Sequence, residues 1–566
     1  MHRFGRGLWK RFWLLARPYW VSEEKWVAFG LLALLLAVLL GETGFAVLFN
    51  QQTGEFTSAL ADKDADRFWT SIIFFMGLLI VAVPIYAFYY FIRDKLAIRW
   101  RRWMTNRFLG EYFGNRAFYE LTANRDIDNP DQRIAEDINT FTQKSLSFLM
   151  IAAGAFLQLI AFSGVLWSIS RWLVLFLLLY AAAGTAITFL VFGHAMIGLN
   201  FQQLRREADF RFSLVRIREN AESIAFYRGE AEESARVKRR FAEVFTVFNK
   251  LIRWTLSLSL FQYGYGFVTI ILPSVIIAPR VLSGELEVGS VVQAAGAFAA
   301  MLAALTVFVD NFDSLSRFAA GIERLDAFSN TLKVHSASSK AGPVISRVED
   351  CPLSLDNLTL HTPNYQRILV KDLSVSVKAG EGLLIVGESG GGKSSLLRAV
   401  AGIWNSGAGT IVRPRLEEML FLPQHAYMIL GDLRSQLHYP MKDRRFSDQE
   451  LLAVLKAVNL SGVAERFGGL DVELDFSKVL SLGEQQRLAF ARLLLGKPRY
   501  AILDEATSAL DVENEENLYS QIDAATTTLV SVSHRSTVLK YHSQVLELDG
   551  LGGWRLCLAG DYRFRQ

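Results

Sequence analysis

Cysteine is scarce in this sequence, with Cys351 and Cys557 as the only two among 566 residues. They lie far apart and form no CxxC pair, which argues against a disulfide framework and against a cysteine zinc site. The net charge is also small, at +4, so it gives no reason to expect nucleic acid as a partner. What the chain has in abundance is apolar residues.

Apolar residues make up 51% of the chain and the mean hydropathy is +0.23, although 20% of the residues are charged. This mixture suits a membrane part joined to a soluble part. At 566 residues the chain is also too long for one compact core. We predict a transmembrane domain over residues 1–330, a polar linker over 331–350 and a soluble domain over 351–566.

Six apolar segments are long enough, or nearly so, to cross a hydrocarbon core, which takes about 20 helical residues. Their approximate extents are 27–48, 72–92, 148–169, 173–197, 256–278 and 291–309. A buried soluble helix would explain any one of them, but six in succession favour a membrane domain. The last is rich in alanine and glycine, which suits close helix packing in lipid. Basic and aromatic residues before the first segment predict an amphipathic helix on the inner membrane face.

Lysine and arginine concentrate in two long connections, 93–144 and 205–240, whereas the other connections carry few. Cytoplasmic flanks collect these residues, so both ends of the membrane domain and the soluble domain are predicted to be cytoplasmic. Both connections are longer than a simple loop needs to be. Helices that continue out of the membrane would explain their length.

The soluble part alternates strand and helix patterns, as in 382–386, 393–401 and 500–503, which predicts an α/β domain with a largely parallel sheet. A phosphate-binding loop pattern directly follows the first of these strands. Its members are Gly387, Glu388, Ser389, Gly390, Gly391, Gly392, Lys393 and Ser394, followed by Ser395.

The residue types of this loop suit a nucleotide. Glycines let backbone N–H groups converge on phosphates at a helix N-terminus, and Lys393 supplies a positive charge to the β and γ groups. Ser394 offers a hydroxyl group to Mg²⁺. A glycine-rich turn without a ligand is the alternative, which the preceding strand disfavours. We therefore predict ATP and Mg²⁺ as cofactors.

Two adjacent acids, Asp504 and Glu505, end the later apolar strand. Alone they could be a solvated strand end. After a phosphate-binding loop, we interpret Asp504 as orienting the Mg²⁺ shell and Glu505 as polarising the attacking water.

The segment 480–487, with the sequence LSLGEQQR, lies just before that strand and resembles the signature of the ABC ATPase family. Leu482 departs from the usual glycine, while Ser481 and Gly483 keep the groups that approach phosphate. The resemblance implies that Ser481, Gly483 and Gln485 bind nucleotide. The chain is thus expected to be an ABC transporter ATPase.

Further elements resemble this family at the expected intervals. Gln424 matches the Q-loop, 508–511 the D-loop and His534 the switch histidine. By resemblance Gln424 senses Mg²⁺ and water, and His534 contacts the γ-phosphate as a catalytic residue. Tyr365 is the candidate for stacking on adenine, although Thr362 could occupy the usual place.

The signature of one ATPase domain in this family closes on the phosphate-binding loop of another, and this chain carries one of each. The resemblance therefore implies a second copy as partner, and a two-fold homodimer is the economical answer.

The whole chain resembles the bacterial SbmA/BacA-like branch of ABC transporters with a fused ATPase, and the related ABCD family. Three membrane-domain stretches carry this likeness, at 49–68, 127–134 and 219–229. The last two lie in the cytoplasmic connections and are expected to couple the domains. The implied fold is a six-helix, exporter-type all-α membrane domain plus an α/β nucleotide-binding domain.

The resemblance implies ATP-driven uptake of cobalamin and other bulky hydrophilic solutes, including peptides, across a bacterial inner membrane. Transport of acyl-CoA or another lipid-like cargo, as in the ABCD family, is the alternative. An ATP-gated channel or regulator is a lesser one, and the spans argue against a soluble ABC ATPase that acts on nucleic acid. Membrane lipid is an expected partner. Polar residues in or near the spans favour a hydrophilic cargo, because they are costly against lipid. Hydrogen bonding between helices, or simple exposure near the span ends, is the alternative for each of them. They are Glu42, Asn50, Gln51, Gln158, His194, Gln262, Gln293, Asp310 and Asn311.

Overall fold

The computed structural model describes residues 6–123, 130–337, 345–441, 444–524 and 527–564. Its chain forms two compact units, Met1–Ser338 and Ser339–Gln566. Residues 127–129 of one predicted coupling stretch and 338–344 of the predicted linker lie outside the described residues. The boundaries of the predicted linker stay a prediction, and helix continues through its first residues to Ala337.

The first unit is helical throughout its described regular structure. Its helices are α1 (Arg6–Trp20), α2 (Lys25–Ala61), α3 (Ala65–Phe113), α4 (Ala117–Ala123), α5 (Pro130–Gln132), α6 (Ile138–Ile169), α7 (Arg171–Ile187), α8 (His194–Glu219), α9 (Ala221–Tyr227), α10 (Glu230–Leu282), α11 (Gly289–Asp310) and α12 (Phe312–Ala337). Wider π turns at Arg133–Asp137 and Thr188–Gly193 join α5 to α6 and α7 to α8.

Six helical segments of this unit are long and apolar enough to cross a membrane, which confirms the six predicted spans. The helices run well beyond the apolar segments. α3 continues to Phe113 and α10 begins at Glu230, so much of each basic connection is helix, as its length predicts. The six spans form a transmembrane domain.

Helix α1 packs against α2, α3 and α12. Its buried residues Leu15, Ala16 and Tyr19 lie on one face, while Trp9 and Trp13 are exposed. Tyr19 stacks on Trp100 of α3 with ring centroids 5.5 Å apart. The exposed surface of α1 also carries Lys10, Arg11 and Arg17, and basic residues mixed with aromatic rings suit an amphipathic helix at a membrane interface. Its location on the membrane surface stays a prediction.

Small residues let α11 approach α2 closely, as its composition predicts. A Cβ atom at Gly289 would overlap the carbonyl oxygen of Gly54 and the hydroxyl of Ser58. The Gly289 N–H donates to that hydroxyl at 3.0 Å. Deeper along α11, Ala294 and Ala297 are fully buried. Van der Waals contact at close range therefore holds this alanine-rich span in the bundle.

The second unit contains two sheets. Its strands are β1 (Ile345–Glu349), β2 (Leu353–His361), β3 (Ile368–Val377), β4 (Leu383–Gly387), β5 (Gly407–Arg413), β6 (Met419–Leu422), β7 (Tyr500–Asp504), β8 (Thr528–Val532), β9 (Gln544–Leu548) and β10 (Trp554–Leu558). One sheet has the order β1-β5-β2-β3 and is mostly antiparallel. The other has the order β10-β9-β4-β8-β7-β6 and is parallel except at β10.

Helices pack around these sheets and enclose two apolar cores. They are α13 (Lys393–Val400), α14 (Leu433–His438), α15 (Asp448–Ala457), α16 (Val463–Arg466), α17 (Phe476–Val479), α18 (Leu482–Gly496) and α19 (Val512–Ala524). The predicted fold class, a six-helix membrane domain and an α/β nucleotide-binding domain, is confirmed.

The order of the parallel sheet decides where the site forms. Strands β4, β8 and β7 are adjacent and parallel, so their carboxyl ends meet at one edge. Ligands bind at this edge in open α/β sheets. The phosphate-binding loop follows β4, the acidic pair ends β7 and His534 follows β8.

Candidate active site

The phosphate-binding loop leaves β4 at Gly387, whose φ is +140°. A Cβ atom there would overlap the carbonyl oxygen of Leu548 on the neighbouring strand β9. Only glycine allows this backbone to pass so close to β9. The loop continues through Ser389 and Gly390 to Gly392, which is the N-cap of α13. Its backbone thus meets a helix N-terminus, which favours anions.

Lys393 lies beneath this loop and is only 5% exposed. Its Nζ donates to the carbonyl oxygens of Gly387 at 2.8 Å and Glu388 at 2.9 Å. Burial lowers the pKa of Lys393, and the nearby carboxylates of Glu505 and Asp504 act in the opposite direction. The ammonium group is therefore held by carbonyl oxygens of the loop. A bound phosphate would offer it charged acceptors, which form stronger hydrogen bonds.

Ser394 and Asp504 are joined by a hydrogen bond of 2.9 Å from the Ser394 hydroxyl to Asp504 Oδ1. Burial raises the pKa of Asp504, and the hydrogen bond from Ser394 partly offsets this. A hydroxyl and a partly buried carboxylate side by side are hard oxygen donors. Mg²⁺ prefers such donors and takes few from protein when phosphates supply others. The residues present therefore fit a Mg²⁺ ion.

Glu505 presents its carboxylate to two further predicted residues. Gln424 donates from Nε2 to Oε2 at 3.1 Å, and His534 Nε2 lies 3.4 Å from Oε1. The φ of Glu505 is +50°, in the left-handed region that non-glycine residues rarely adopt. Such strain is found at functional sites, where surrounding structure enforces it. Here the Glu505 N–H donates to Val532 O of β8 at 3.1 Å.

The structure thus brings together Lys393, Ser394, Gln424, Asp504, Glu505 and His534, which were predicted from separate segments. Their roles toward ATP stay predictions. The arrangement offers a cradle for phosphates, oxygen donors for a divalent cation and a carboxylate that can accept a proton from water.

Ser481 begins α18 as its N-cap. Its hydroxyl accepts from the Glu484 N–H at 3.3 Å, and Glu484 Oε2 accepts from the Ser481 N–H at 2.8 Å. This reciprocal pair is a capping box, which fixes the first turn of α18. Gly483 lies in that turn, facing the carbonyl oxygen of Ala509. The start of α18 is therefore a preformed helix N-terminus able to meet an anion.

Gln485 and Tyr365 are not placed against the phosphate-binding loop by their described contacts. Gln485 Nε2 donates to the carbonyl oxygens of Ser477 and Leu480. Tyr365 lies in the turn between β2 and β3, half exposed, with its ring 5.3 Å from that of His361. Its N–H donates to Thr362 O at 2.8 Å. The choice between Tyr365 and Thr362 as the adenine neighbour stays open.

Two residues of the site were missed from the sequence. Gln486 is 1% exposed and donates from Nε2 to Gln424 O, while its Oε1 accepts from Ala509 N–H at 3.0 Å. Arg535 donates to Leu510 O at 2.7 Å. Gln486 lies within the signature segment 480–487 and Arg535 directly follows the switch histidine, but neither position reveals which backbone groups the side chain binds.

Comparison with family models finds two matches along the chain. Residues 15–282 match the ABC transporter transmembrane region 2, and residues 370–508 match the ABC transporter model for the ATPase domain. The second match contains the phosphate-binding loop, the signature and the acidic pair.

Several curated proteins are similar over nearly the whole chain. An uncharacterized ABC transporter ATP-binding protein of Synechocystis sp. is 46% identical over 94% of this chain and 82% of its own length. The chloroplastic ABC transporter D family member 2 of Arabidopsis thaliana is 38% identical over 96% of this chain and 86% of its own. The lysosomal cobalamin transporter ABCD4 of Homo sapiens is 31% identical over 95% and 94%.

Proposed function

Since this chain belongs to the ABCD-type half-transporters, which carry out ATP-driven transport with an ABC ATPase domain, we propose that it moves cobalamin and other bulky hydrophilic solutes, peptides included, into the bacterial cytoplasm. The proposal includes membership of the SbmA/BacA-like branch and a place in the bacterial inner membrane. The similarity to a lysosomal cobalamin transporter supports the cargo class. The basic connections support a cytoplasmic ATPase domain.

The nucleotide chemistry proposed for this chain follows from the site. Backbone N–H groups of the loop and Lys393 bind the β and γ phosphates of ATP. Ser394, Asp504 and Gln424 would hold Mg²⁺, and that ion would neutralise charge that develops on the phosphates. Glu505 accepts a proton from the attacking water, and the His534 imidazole, 3.4 Å from Glu505 Oε1, contacts the γ-phosphate.

A half-transporter must dimerise, and we propose that the partner is a second copy. Each site would then consist of the phosphate-binding loop of one chain and the preformed start of α18 of the other. Ser481 and Gly483 lie at that helix start, whose N–H groups would face a phosphate of the nucleotide bound to the other chain. Two-fold symmetry generates two such sites from one surface of each chain.

We further propose that the two cytoplasmic stretches at 127–134 and 219–229 couple the domains, and that the second does so through exposed aromatic rings. In the described part, α9 carries Phe226 and Tyr227, which are 79% and 87% exposed. Neighbouring aromatic rings this exposed on a short helix are typical of a docking surface. Arg228 follows with φ +54° and ends the helix sharply, which isolates α9 between α8 and α10.

The proposal of a hydrophilic cargo rests on the surroundings of the Glu42 carboxylate. It lies in the apolar part of α2, about 25 Å along the helix from Lys25. Its Oε2 is buried and has no hydrogen-bond partner among the described residues, and the same is true of Asn50 Oδ1 on the same helix. An unpartnered carboxylate in a span is costly, and an ionisable residue there is by default a candidate for a functional role. A cargo rich in hydrogen-bond donors would supply the missing partners.

Reconstitution into liposomes tests the direction and the cargo. We expect labelled cobalamin to accumulate on the side that holds ATP and the ATPase domain, because the basic connections favour a cytoplasmic ATPase domain. Omitting ATP is the control for leakage. Export of label from the ATP side, or stimulation of hydrolysis by acyl-CoA and not by cobalamin, would replace this proposal with the lipid-like alternative.

The role of Glu42 is tested by replacing it with leucine and with glutamine. Glu42→Leu should lower cobalamin uptake at least about tenfold, a typical loss for an unpaired buried polar group, while basal ATP hydrolysis stays within about twofold. Glu42→Gln keeps the size and one acceptor and should retain more uptake. Equal transport by Glu42→Leu and the native chain would exclude a cargo role for this side chain.

A further inference from the structure

Glu515, in the first turn of α19, is a fully buried acid that takes no part in the nucleotide site described above. Both of its carboxylate oxygens are occupied. Thr507 donates from Oγ1 to Oε1 at 2.6 Å, and Thr537 donates from Oγ1 to Oε2 at 2.5 Å. Burial of an ionised carboxylate is tolerated when it accepts such charge-assisted hydrogen bonds. The two threonines thus satisfy the buried charge.

These two threonines lie beside the two groups that face each other in the active site. Thr507 follows Glu505 by two residues, and Thr537 follows His534 by three. One side chain therefore joins the segment that carries the proposed general base to the segment that carries the switch histidine. The His534 and Glu505 side chains are themselves 3.4 Å apart.

Arg535 adds a second tie between the same two segments. It directly follows His534 and donates to the carbonyl oxygens of Leu510 at 2.7 Å and Ser508 at 3.1 Å. Its NH1 also lies 3.7 Å from Glu515 Oε1. The guanidinium group thus spans the D-loop backbone and the buried carboxylate. We call Glu515, Thr507, Thr537 and Arg535 the Glu515 bracket.

We propose that Glu515 is a positioning residue for ATP hydrolysis, which fixes the distance between Glu505 and His534 by bracketing the segments that carry them. Small errors in the placement of catalytic groups cost large factors in rate, whereas nucleotide binding depends on the phosphate-binding loop. The bracket touches neither the phosphate-binding loop nor Lys393 in the described contacts. It should therefore govern kcat and leave the KM for ATP nearly unchanged.

Thr537→Val in the full-length transporter is the first test, because valine keeps the shape and removes one hydrogen bond to the carboxylate. We expect kcat to fall about tenfold, as for the loss of a charge-assisted hydrogen bond, with the KM for ATP within about twofold. Thr537→Ser restores the hydroxyl and should recover most of the rate. Thr528→Val is the matched control. Thr528 is a buried threonine of β8 whose hydroxyl oxygen accepts from the Gly380 N–H, away from the bracket.

A double-mutant cycle separates positioning from a general loss of stability. In a His534→Ala background the bracket has no histidine to position, so Thr537→Val should cause little further loss of the residual rate. A full tenfold loss in that background, or native kcat in Thr537→Val alone, would overturn the proposal. If Thr537→Val does not fold, Thr507→Val and Glu515→Gln enter the same cycle, with the same two outcomes deciding.

Discussion

The Glu505→Gln chain should bind ATP and hydrolyse it at least about a hundredfold more slowly than the native chain, which is a typical loss of a general base. Glutamine keeps the size of the side chain, so the contact from Gln424 Nε2, 3.1 Å in the native chain, can persist at the amide oxygen. What disappears is the negative oxygen that accepts the proton of water. Phosphate release measures turnover, and retention of labelled ATP measures binding.

Glu513→Gln is the matched control for this substitution. Glu513 is exposed in the first turn of α19, and its replacement by glutamine removes one negative charge from the same domain. We expect its turnover to stay near the native rate. Near-native turnover in Glu505→Gln itself would assign the general base to another residue. Loss of ATP binding would show that Glu505 contributes to nucleotide binding.

Two substitutions, Lys393→Ala and Ser481→Arg, test whether the sites are shared. Occlusion of ATP by a dimer should depend on whether the two substitutions lie in the same chain or in different chains. Lys393 belongs to the phosphate-binding loop, and Ser481 to the start of α18, where arginine would obstruct the phosphate. If sites are shared between chains, each single-mutant homodimer has two damaged sites. A dimer with one substitution in each chain has one intact site and one doubly damaged site.

Two tags and sequential purification isolate the mixed dimers. We expect ATP to be occluded by the dimer with the substitutions in trans. The control is a dimer of a native chain with a chain that carries both substitutions, because each of its sites then has one defect. The two dimers have the same composition and differ only in arrangement. Equal occlusion in both would refute shared sites, as would full hydrolysis by separated monomers.

The active site was largely predictable because its chemistry imposes local patterns. A phosphate cradle needs a glycine such as Gly387 after a strand, and the lysine and serine follow at fixed offsets. The convergence of this loop with Asp504 and His534 follows from the order of the parallel strands β4, β8 and β7, which the sequence pattern does not contain. The contact between Gln424 and Glu505 depends on how the segment after β6 is folded, and no periodicity encodes that.

The helix ends of the membrane domain were less predictable. Hydropathy locates the apolar stretch at 256–278, but α10 begins at Glu230 because the preceding charged residues are also helix formers. The hydrophobic pattern reports burial in lipid and not the extent of the helix. The Glu515 bracket escaped prediction for a related reason, since an acid in the first turn of a helix is usually solvated and favoured by the helix dipole.

The length of α10 has a mechanical consequence. Its 53 residues make a rod of about 80 Å, and its two prolines, Pro273 and Pro279, lie near its C-terminal end. The remaining length has no proline to bend it. A rod of this kind acts as a lever, in which a tilt of about 5° at one end moves the other by about 7 Å, more than one helical turn. A small tilt at the C-terminal end of α10, such as one around a bound solute, would become a large displacement at Glu230. A displacement at Glu230 would in turn produce a proportionally smaller movement at the C-terminal end.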